Sequence, residues 1–342
     1  MKNILILELF GGIGACTKAL KNIGMNVNVV DYVEIDKYAV KSYNAINGTN
    51  FEPQDIKEWD KDINIDLIMH GSPCQDFSAS GLQMGGDEGS GTRSSLMYES
   101  IRIINKLKPK YVVWENVKNL LSKKHKHNFN NYINKLDELG YNSYYQVLDA
   151  KDYGVPQHRE RIYTVSIRKD IDKGNFKFPE KEPLKTVLKD LLEKEVDEKY
   201  YLNDKQLISL KNSTFNARKT RVQEKDYCDT LCARDFKDPK CIQIGNLDIK
   251  GNDNIKRVYS PEGISPTLTT CGGGNRQAKI KDGNNIRKLV PLEYWRLMSF
   301  DDEDFYKAQS IGNSDSQLYK QAGNSIAVKV LEKIFRNLLT LN

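Results

Sequence analysis

The sequence contains no long apolar run and no segment with the pattern of a signal peptide. A membrane-spanning helix needs about 20 consecutive apolar residues, so the sequence predicts neither a membrane span nor secretion, and we expect a cytoplasmic protein. It also lacks a strong excess of one charge, because 52 basic residues are balanced by 46 acidic ones. The formal net charge of +6 therefore favours a nucleic-acid partner only slightly over other partners.

Cysteine and histidine are both scarce, with six and four residues respectively. The cysteines are spread along the chain at Cys16, Cys74, Cys228, Cys232, Cys241 and Cys271. None forms a Cys-x2-Cys pair, and the last four have no histidine nearby, so we predict small buried thiols and no metal site. This cysteine usage also indicates a reducing compartment.

Short apolar runs alternate with segments of helical period over about the first 170 residues. The runs lie at 4–9, 27–33, 65–69, 111–114 and 161–167. This alternation is typical of βα units around a doubly wound, mainly parallel sheet, so it predicts a Rossmann-like α/β fold. Beyond residue 170 the pattern becomes charged and irregular until about 287, where helical periodicity returns. We therefore predict domains at 1–169 and 170–286, and a return segment at 287–342 that packs on the first domain.

A glycine-rich turn follows the first predicted strand, at residues 10–14. Backbone amides at the start of the next helix would then face the sheet edge where such folds bind nucleotides. Glu34 ends the second strand and offers a carboxylate to ribose hydroxyls. The pattern indicates a cofactor that contains adenosine, with a purely structural turn as the alternative. A nicotinamide cofactor is disfavoured, because its fingerprint expects a third glycine where this chain has Thr17.

Three other strand ends carry reactive side chains. Cys74 follows the run at 65–69, Glu115 follows Trp114, and the segment 157–161 leads into the last run. A lone cysteine is usually a buried apolar residue. Side chains at neighbouring strand ends meet at one edge of a sheet, however, so the alternative is a nucleophilic cysteine beside an acid and arginines.

Taken together, these segments resemble the DNA (cytosine-5) methyltransferase family. Six motifs of that family occur in its order, over nearly the whole chain outside residues 170–286. They are Phe-x-Gly-x-Gly at Phe10, Gly12 and Gly14, Pro-Cys-Gln at 73–75, Glu-Asn-Val at 115–117, Gln-x-Arg-x-Arg at Gln157, Arg159 and Arg161, the segment 287–298, and Gln-Ala-Gly-Asn-Ser at 321–325. The resemblance implies a catalytic and cofactor-binding domain at 1–169 and a target-recognition domain at 170–286.

The resemblance also implies a mechanism. Cytosine carbon 5 accepts a methyl group only after a nucleophile has added to carbon 6, and the Cys74 thiolate corresponds to that nucleophile. Glu115 corresponds to the acid at ring nitrogen 3. Arg159 and Arg161 correspond to groups near the cytosine carbonyl oxygen and the active-site loop. A structural ion pair is the alternative role for either arginine.

The implied methyl donor is S-adenosylmethionine. Its expected site comprises Phe10, Gly12, Gly14, Glu34, Ile35, Asp55, Ile56, Pro73, Asn324 and Ser325. By resemblance, Phe10 contacts the adenine face, Glu34 binds the ribose and Asp55 binds the adenine amino group. Two positions depart from the family pattern: Ile35 stands where an aromatic residue is frequent, and Gln54 where a glycine is frequent. We expect both departures to change affinity without abolishing binding.

The implied substrate is a cytosine in double-stranded DNA, which must be flipped out of the helix to react. The Gly/Ser-rich segment 76–95 predicts a loop that closes over the flipped base. The segment 122–127 predicts a basic loop for phosphate contact or only a solvated charge run. Within 170–286, the stretches 211–240 and 267–276 are candidates for DNA contact. We expect a monomer of bacterial or phage origin, associated with the nucleoid. Its role is either restriction–modification, with a cognate restriction endonuclease as functional partner and no contact implied, or self-methylation of phage or bacterial DNA.

Two other functions share part of this pattern. A tRNA cytosine-5 methyltransferase would carry nearly the same motifs, but that subgroup has a Cys-Phe-Thr tripeptide, and no cysteine of this chain precedes Phe-Thr. A catalytically silent DNA-binding protein would not need Cys74, Glu115 and Arg161 together. The sequence therefore favours an active DNA methyltransferase.

Overall fold

The computed structural model describes residues 3–74, 76–77, 85–202, 241, 243–247, 256–272 and 276–340. The chain forms two compact units. The first consists of Met1–Asp149, Glu160–Glu180 and Ser325–Asn342, and the second of Ala150–Arg159 and Lys181–Asn324. In the described part of the chain, no helix has the length and apolar character needed to span a membrane.

Strands and helices alternate in the first half of the chain. The strands are β1 (Asn3–Leu9), β2 (Asn26–Val33), β3 (Leu67–His70), β4 (Tyr111–Val117), β5 (Tyr141–Asp149), β6 (Glu160–Arg168), β7 (Gln243–Asn246), β8 (Arg257–Tyr259), β9 (Lys279–Asp282) and β10 (Asn285–Lys288). The α-helices are α1 (Ala15–Asn22), α2 (Lys37–Asn47), α3 (Met97–Leu107), α4 (Lys126–Glu138), α5 (Pro291–Leu297), α6 (Asp302–Ser310), α7 (Asp315–Asn324) and α8 (Val328–Thr340).

The first unit is built on a six-stranded sheet in the order β2-β1-β3-β4-β6-β5. Neighbouring strands from β2 to β4 are parallel, whereas β6 pairs antiparallel with both β4 and β5. All four residues of β3 are buried, as expected for a central parallel strand that is covered on both faces. The predicted doubly wound, mainly parallel α/β fold is confirmed.

The sequence did not predict β5. Among the described strands, β5 lies at the sheet edge and pairs only with β6, and most of its middle residues are at least partly exposed. Polar and aromatic residues are tolerated on such a strand, so it has no continuous apolar run that would reveal it.

Helix α8 returns to the first unit after the chain has passed through the second. Val330, Ile334 and Leu338 are buried along one face of this helix, which packs against α1. At the surface, Asn22 donates a 2.7 Å hydrogen bond to Glu332. The spacing of four residues between these apolar side chains therefore supplies the face that covers the sheet unit.

The second unit contains a smaller sheet in the order β10-β9-β8-β7. It also includes residues 150–159 and 287–324, so the compact units do not follow the boundaries expected at 169/170 and 286/287. A buried ion pair explains part of this difference, because Arg287 in β10 donates to Glu293 in α5 at 2.8 and 2.9 Å. This pair, together with the bond from the Leu202 amide to the Ile286 carbonyl, joins β10 and the following helix to the second unit.

Candidate active site

Three predicted catalytic residues belong to adjacent strands of the first unit. Cys74 follows the end of β3, Glu115 lies near the end of β4, and Arg161 lies near the start of β6. Because β6 is antiparallel to β4 and Arg161 is opposite Val117, the start of β6 and the end of β4 lie at the same sheet edge. The fold therefore brings these three side chains to the edge that the sequence predicted.

Glu115 is held between an arginine and the loop that leads to Cys74. Its Oε1 atom lies 3.1 Å from Arg161 Nε. On the other side, a Cβ atom built at Gly71 would lie 3.8 Å from Glu115 Oε2. Only 9% of Glu115 is exposed, so this carboxyl group has few accessible orientations. It faces residues 71–74, which we call the cysteine loop.

Cys74 differs from two of the other described cysteines. It is half-buried, whereas Cys16 and Cys271 are buried. Burial raises the pKa of the Cys16 thiol well above its usual value, and burial also raises the pKa of Cys271. A thiolate is the reactive form of cysteine, so these two thiols are poor nucleophile candidates. Cys228 and Cys232 lie outside the described residues.

The chain after Cys74 is tied down by hydrogen bonds to other segments. The Cys74 carbonyl accepts from the Phe77 amide at 3.1 Å, and Asn119 Nδ2 donates to the Phe77 carbonyl at 2.6 Å. Asp76 and Ser94 form a reciprocal pair, since each backbone amide donates to the other side chain, at 3.2 and 3.1 Å. Of the predicted loop 76–95, residues 78–84 lie outside the described residues.

Arg159 and Gln157 belong to the second unit, where both are buried. Arg159 Nη2 donates to the Gly323 carbonyl at 3.3 Å. Gln157 donates to the Leu297 carbonyl at 2.9 Å and accepts from the Leu268 amide at 3.3 Å. Within the second unit, the Gln-x-Arg-x-Arg segment thus joins three distant parts of the chain.

Gly323 packs against residues 267–276, one of the two segments predicted to contact DNA. A Cβ atom at this position would lie 2.4 Å from the carbonyl oxygen of Thr269, so only glycine allows this approach. Thr267 is exposed and donates to the His158 carbonyl at 2.6 Å. Within this candidate, residues 273–275 lie outside the described residues, as does the other candidate at 211–240.

The glycine-rich turn forms as predicted between β1 and α1. Gly14 has φ of +83°, and a Cβ atom there would lie 2.7 Å from the Tyr43 ring, so this position requires glycine. Phe10 also has a positive φ, of 54°, and it packs partly buried against the main core of the first unit.

The Glu34 side chain is fixed by backbone amides, one of them in the glycine-rich turn. Its Oε2 atom accepts from the Gly12 amide at 3.1 Å, and its Oε1 atom accepts from the Asp36 amide at 2.8 Å. Burial raises the pKa of this carboxyl, although both amide hydrogen bonds oppose the rise. Each carboxyl oxygen retains a further lone pair, so the group can also accept hydrogen bonds from a ribose.

Asp31 organises the segment that carries Asp55 and Ile56, and no motif indicated it. It accepts hydrogen bonds from Trp59 Nε1 at 2.7 Å and Gln54 Nε2 at 3.1 Å, and Lys61 Nζ lies 2.7 Å away. Although burial opposes ionisation, these partners hold the pKa of Asp31 below its usual value. Gln54, which departs from the family pattern, therefore connects its segment to Asp31 by a hydrogen bond. In the sequence, the one feature that could have indicated this role is an acidic residue, Asp31, within a mostly apolar strand.

The remaining predicted cofactor residues differ in exposure. Ile56 is buried, whereas 67% of Ile35 is exposed. Pro73 is half-buried and Asn324 is exposed. Ser325, although buried, lies in the first unit, whereas Asn324 lies in the second. The ten residues expected around the cofactor therefore do not all belong to one compact unit.

The basic segment 122–127 is only partly exposed. Lys123, Lys124 and Lys126 are exposed, but His125 is buried and packs against the Phe77 ring with centroids 5.4 Å apart. Burial lowers the pKa of His125, so this histidine contributes little positive charge near neutral pH. The exposed lysines remain candidates for phosphate contact.

Comparisons with known proteins identify the family of this chain. The sequence model of the C-5 cytosine-specific DNA methylase family matches residues 4–340. The chain is 33% identical to orphan methyltransferase M.SPBetaI of Bacillus phage SPbeta, over 99% of this chain and 98% of the relative. It is also 33% identical to type II methyltransferase M.HhaI of Haemophilus parahaemolyticus, over 97% and 93% of the two chains.

Solved structures show the same fold. The structure of S. pombe Dnmt2 methyltransferase superposes with a TM-score of 0.68 and covers 100% of both chains. Sequence identity in this comparison is 18%, so it supports the architecture and no detail of the site.

Proposed function

Since the chain belongs to the C-5 cytosine-specific DNA methylase family and is a DNA (cytosine-5) methyltransferase, we propose that it methylates carbon 5 of a flipped-out cytosine in double-stranded DNA. In this proposal Cys74 forms a transient covalent bond to the base. The observation that carries it is the meeting of Cys74, Glu115 and Arg161 at one sheet edge, with Glu115 directed at the cysteine loop.

In the first proposed step, the Cys74 thiol loses its proton to solvent water and the thiolate sulfur forms a bond to carbon 6. Electron density then moves onto the ring, where Glu115 in its protonated form gives a proton to nitrogen 3. Arg161 orients Glu115 through the 3.1 Å contact and supplies positive charge near the base, where negative charge develops. The product of this step is a neutral enamine that is nucleophilic at carbon 5.

When bound, S-adenosylmethionine would supply an electrophilic methyl group to carbon 5, with its sulfur–methyl bond broken and S-adenosylhomocysteine as the leaving group. Loss of the carbon-5 proton then restores the ring: the bond from Cys74 to carbon 6 breaks, and Glu115 regains its proton from nitrogen 3. Water fits the role of the base for the carbon-5 proton.

The turn between β1 and α1 fits the methyl donor. Glu34 is half-buried, is fixed by the Gly12 and Asp36 amides, and its carboxyl oxygens can also accept hydrogen bonds from ribose hydroxyls. We propose the same ligand for Phe10, Gly12, Gly14, Ile35, Asp55, Ile56, Pro73 and Ser325. For Asn324 and Arg159, which belong to the second unit, the family resemblance alone carries the proposed roles.

We further propose that residues 170–286 recognise the target sequence. The first unit supplies the proposed chemistry, and reading several base pairs requires additional side chains at the DNA grooves. Thr267, with its exposed side chain, and Arg276, also exposed, are suitable groups within this segment. A type II methyltransferase and an orphan methyltransferase are both among the relatives, and we propose that this chain modifies DNA either in a restriction–modification system or in self-methylation of phage or bacterial DNA.

A mechanism-based trap tests the covalent step. Fluorine at cytosine carbon 5 cannot leave as a proton, so the bond to carbon 6 cannot be released after methylation. A duplex that contains 5-fluorocytosine at the target site, incubated with S-adenosylmethionine, should give a protein–DNA adduct that survives denaturation. Digestion and mass spectrometry should locate the added mass on the peptide that contains Cys74.

Matched cysteine variants control this experiment. Cys74→Ser should form no adduct, because a hydroxyl has a far higher pKa than a thiol. Cys16→Ser and Cys271→Ser should still form it, since both thiols are buried elsewhere. An adduct on any cysteine other than Cys74 would contradict the proposal.

A further inference from the structure

We infer that Ser72 is a positioning residue for Cys74, held by the two side chains that flank Glu115 in β4. The inference rests on the proposed covalent mechanism, in which the nucleophile and the acid act on the same ring and must keep a fixed separation. It concerns Trp114 and Asn116, for which the motifs suggested no role in aligning the cysteine.

The contacts around Ser72 are made by buried groups. Trp114 Nε1 donates to Ser72 Oγ at 3.0 Å. Asn116 Nδ2 donates to the same oxygen and to the Ser72 carbonyl, both at 3.3 Å. Ser72 is only 3% exposed, and Trp114 and Asn116 are each 1% exposed. Water therefore cannot readily replace these hydrogen bonds.

The position of these contacts in β4 links Cys74 to Glu115. Successive side chains of a strand point to opposite faces, so Trp114 and Asn116 bind the loop from one face of β4 while Glu115 lies on the other. On that other face, Glu115 Oε2 approaches Gly71. The loop is thus hydrogen-bonded from one face of β4 and lies beside the acid on the other.

Only Pro73 separates Ser72 from Cys74, and its ring restricts the backbone angle φ between them. Downstream, the Cys74 carbonyl is bonded to the Phe77 amide, and Phe77 is bonded in turn to Asn119. Cys74 therefore lies between two anchored points. Loss of the Ser72 hydroxyl would reduce the upstream anchor to the bond from Asn116 to the Ser72 carbonyl and leave the Trp114 N–H group without its acceptor.

The experiment measures how fast the adduct with a 5-fluorocytosine duplex forms in a single turnover, at saturating S-adenosylmethionine. Ser72→Ala and Trp114→Phe should each slow it roughly 5- to 10-fold, as expected for a lost buried hydrogen bond. The double variant should be no slower than Ser72→Ala, because both changes remove the same Trp114–Ser72 contact. The dissociation constant for S-adenosylhomocysteine, measured by calorimetry, should not change.

Two control variants remove comparable hydrogen bonds elsewhere. Ser143→Ala deletes the 2.8 Å hydroxyl pair with Ser166 between β5 and β6, and Trp295→Phe deletes the 3.0 Å bond to the Leu318 carbonyl. Both should form the adduct at the wild-type rate. They show whether loss of a partly or fully buried hydrogen bond is by itself enough to slow the reaction.

The outcomes separate the two proposals. If the wild-type protein forms no adduct, the covalent mechanism fails. If it does form the adduct but Ser72→Ala reacts equally fast, or if the effects of Ser72→Ala and Trp114→Phe multiply, the positioning role alone is wrong. A matching loss of cofactor affinity in Ser72→Ala would also overturn it in favour of general structural damage.

Discussion

The buried carboxyl group of Glu8 accepts a hydrogen bond from the Tyr43 hydroxyl at 3.2 Å, next to the glycine-rich turn. The Thr17 hydroxyl also donates to this carboxyl. Burial raises the pKa of Glu8 to about 7, against the two hydrogen bonds, which lower it. At slightly acidic pH, the folded protein therefore keeps a proton on Glu8 that the unfolded chain releases.

This difference predicts how stability depends on pH. Between the ordinary value of 4.5 and the folded value of about 7, the folded state binds more protons than the unfolded state, so the free energy of unfolding should fall as pH rises. Glu8→Gln should reduce this fall, because an amide carries no titrating proton. Urea unfolding from pH 5 to 8 measures the slope, with exposed Glu58→Gln as the control. Equal slopes for Glu8→Gln and wild type would refute the prediction.

Cofactor affinity should depend on Glu34. Glu34→Ala removes a carboxyl that the Gly12 and Asp36 amides hold in place, and it should weaken S-adenosylmethionine binding by roughly 1.5 to 3 kcal/mol, or about 10- to 100-fold. Calorimetry with S-adenosylhomocysteine measures the change. Glu52→Ala, at an exposed position, should leave affinity unaltered. An unaltered constant for Glu34→Ala would remove this residue from the site.

Arg161 should act on the chemical step. Arg161→Lys keeps the charge but not the planar guanidinium beside Glu115, and Arg161→Ala removes both. We expect the single-turnover rate of methylation to fall by about 100-fold for alanine, and by less for lysine. Affinity for S-adenosylhomocysteine should stay at the wild-type value. A normal rate in Arg161→Ala would show that its contact with Glu115 is only structural.

Residues 170–286 should determine which DNA sequence the protein methylates. If this segment is exchanged with that of a relative that methylates a different sequence, bisulfite sequencing should show methylation at the donor's site. Methylation that remains at the original site would rule out the assignment. Binding of DNA should also weaken with salt, with a slope of about −0.9 per phosphate contact on logarithmic axes.

The class of the fold and the main reactive positions followed from the sequence alone. Buried parallel strands produce short apolar runs, and the family motifs lie at the ends of those runs. Cys74, Glu115 and Glu34 could therefore be assigned to strand ends from the order of residues along the chain. Strands and the motifs at their ends involve residues close together in the chain, so the pattern of neighbouring residues is enough to predict them.

Tertiary structure alone decided which residues support those positions. The partners of Ser72 are 42 and 44 residues away, and Trp59 bonds to Asp31 across 28 residues. Likewise, only long-range packing assigned residues 287–324 to the second unit, with the bridge between Tyr201 and Arg287 as one cause. Such contacts depend on how strands and loops meet in space, and the spacing of residues along a single chain does not specify them.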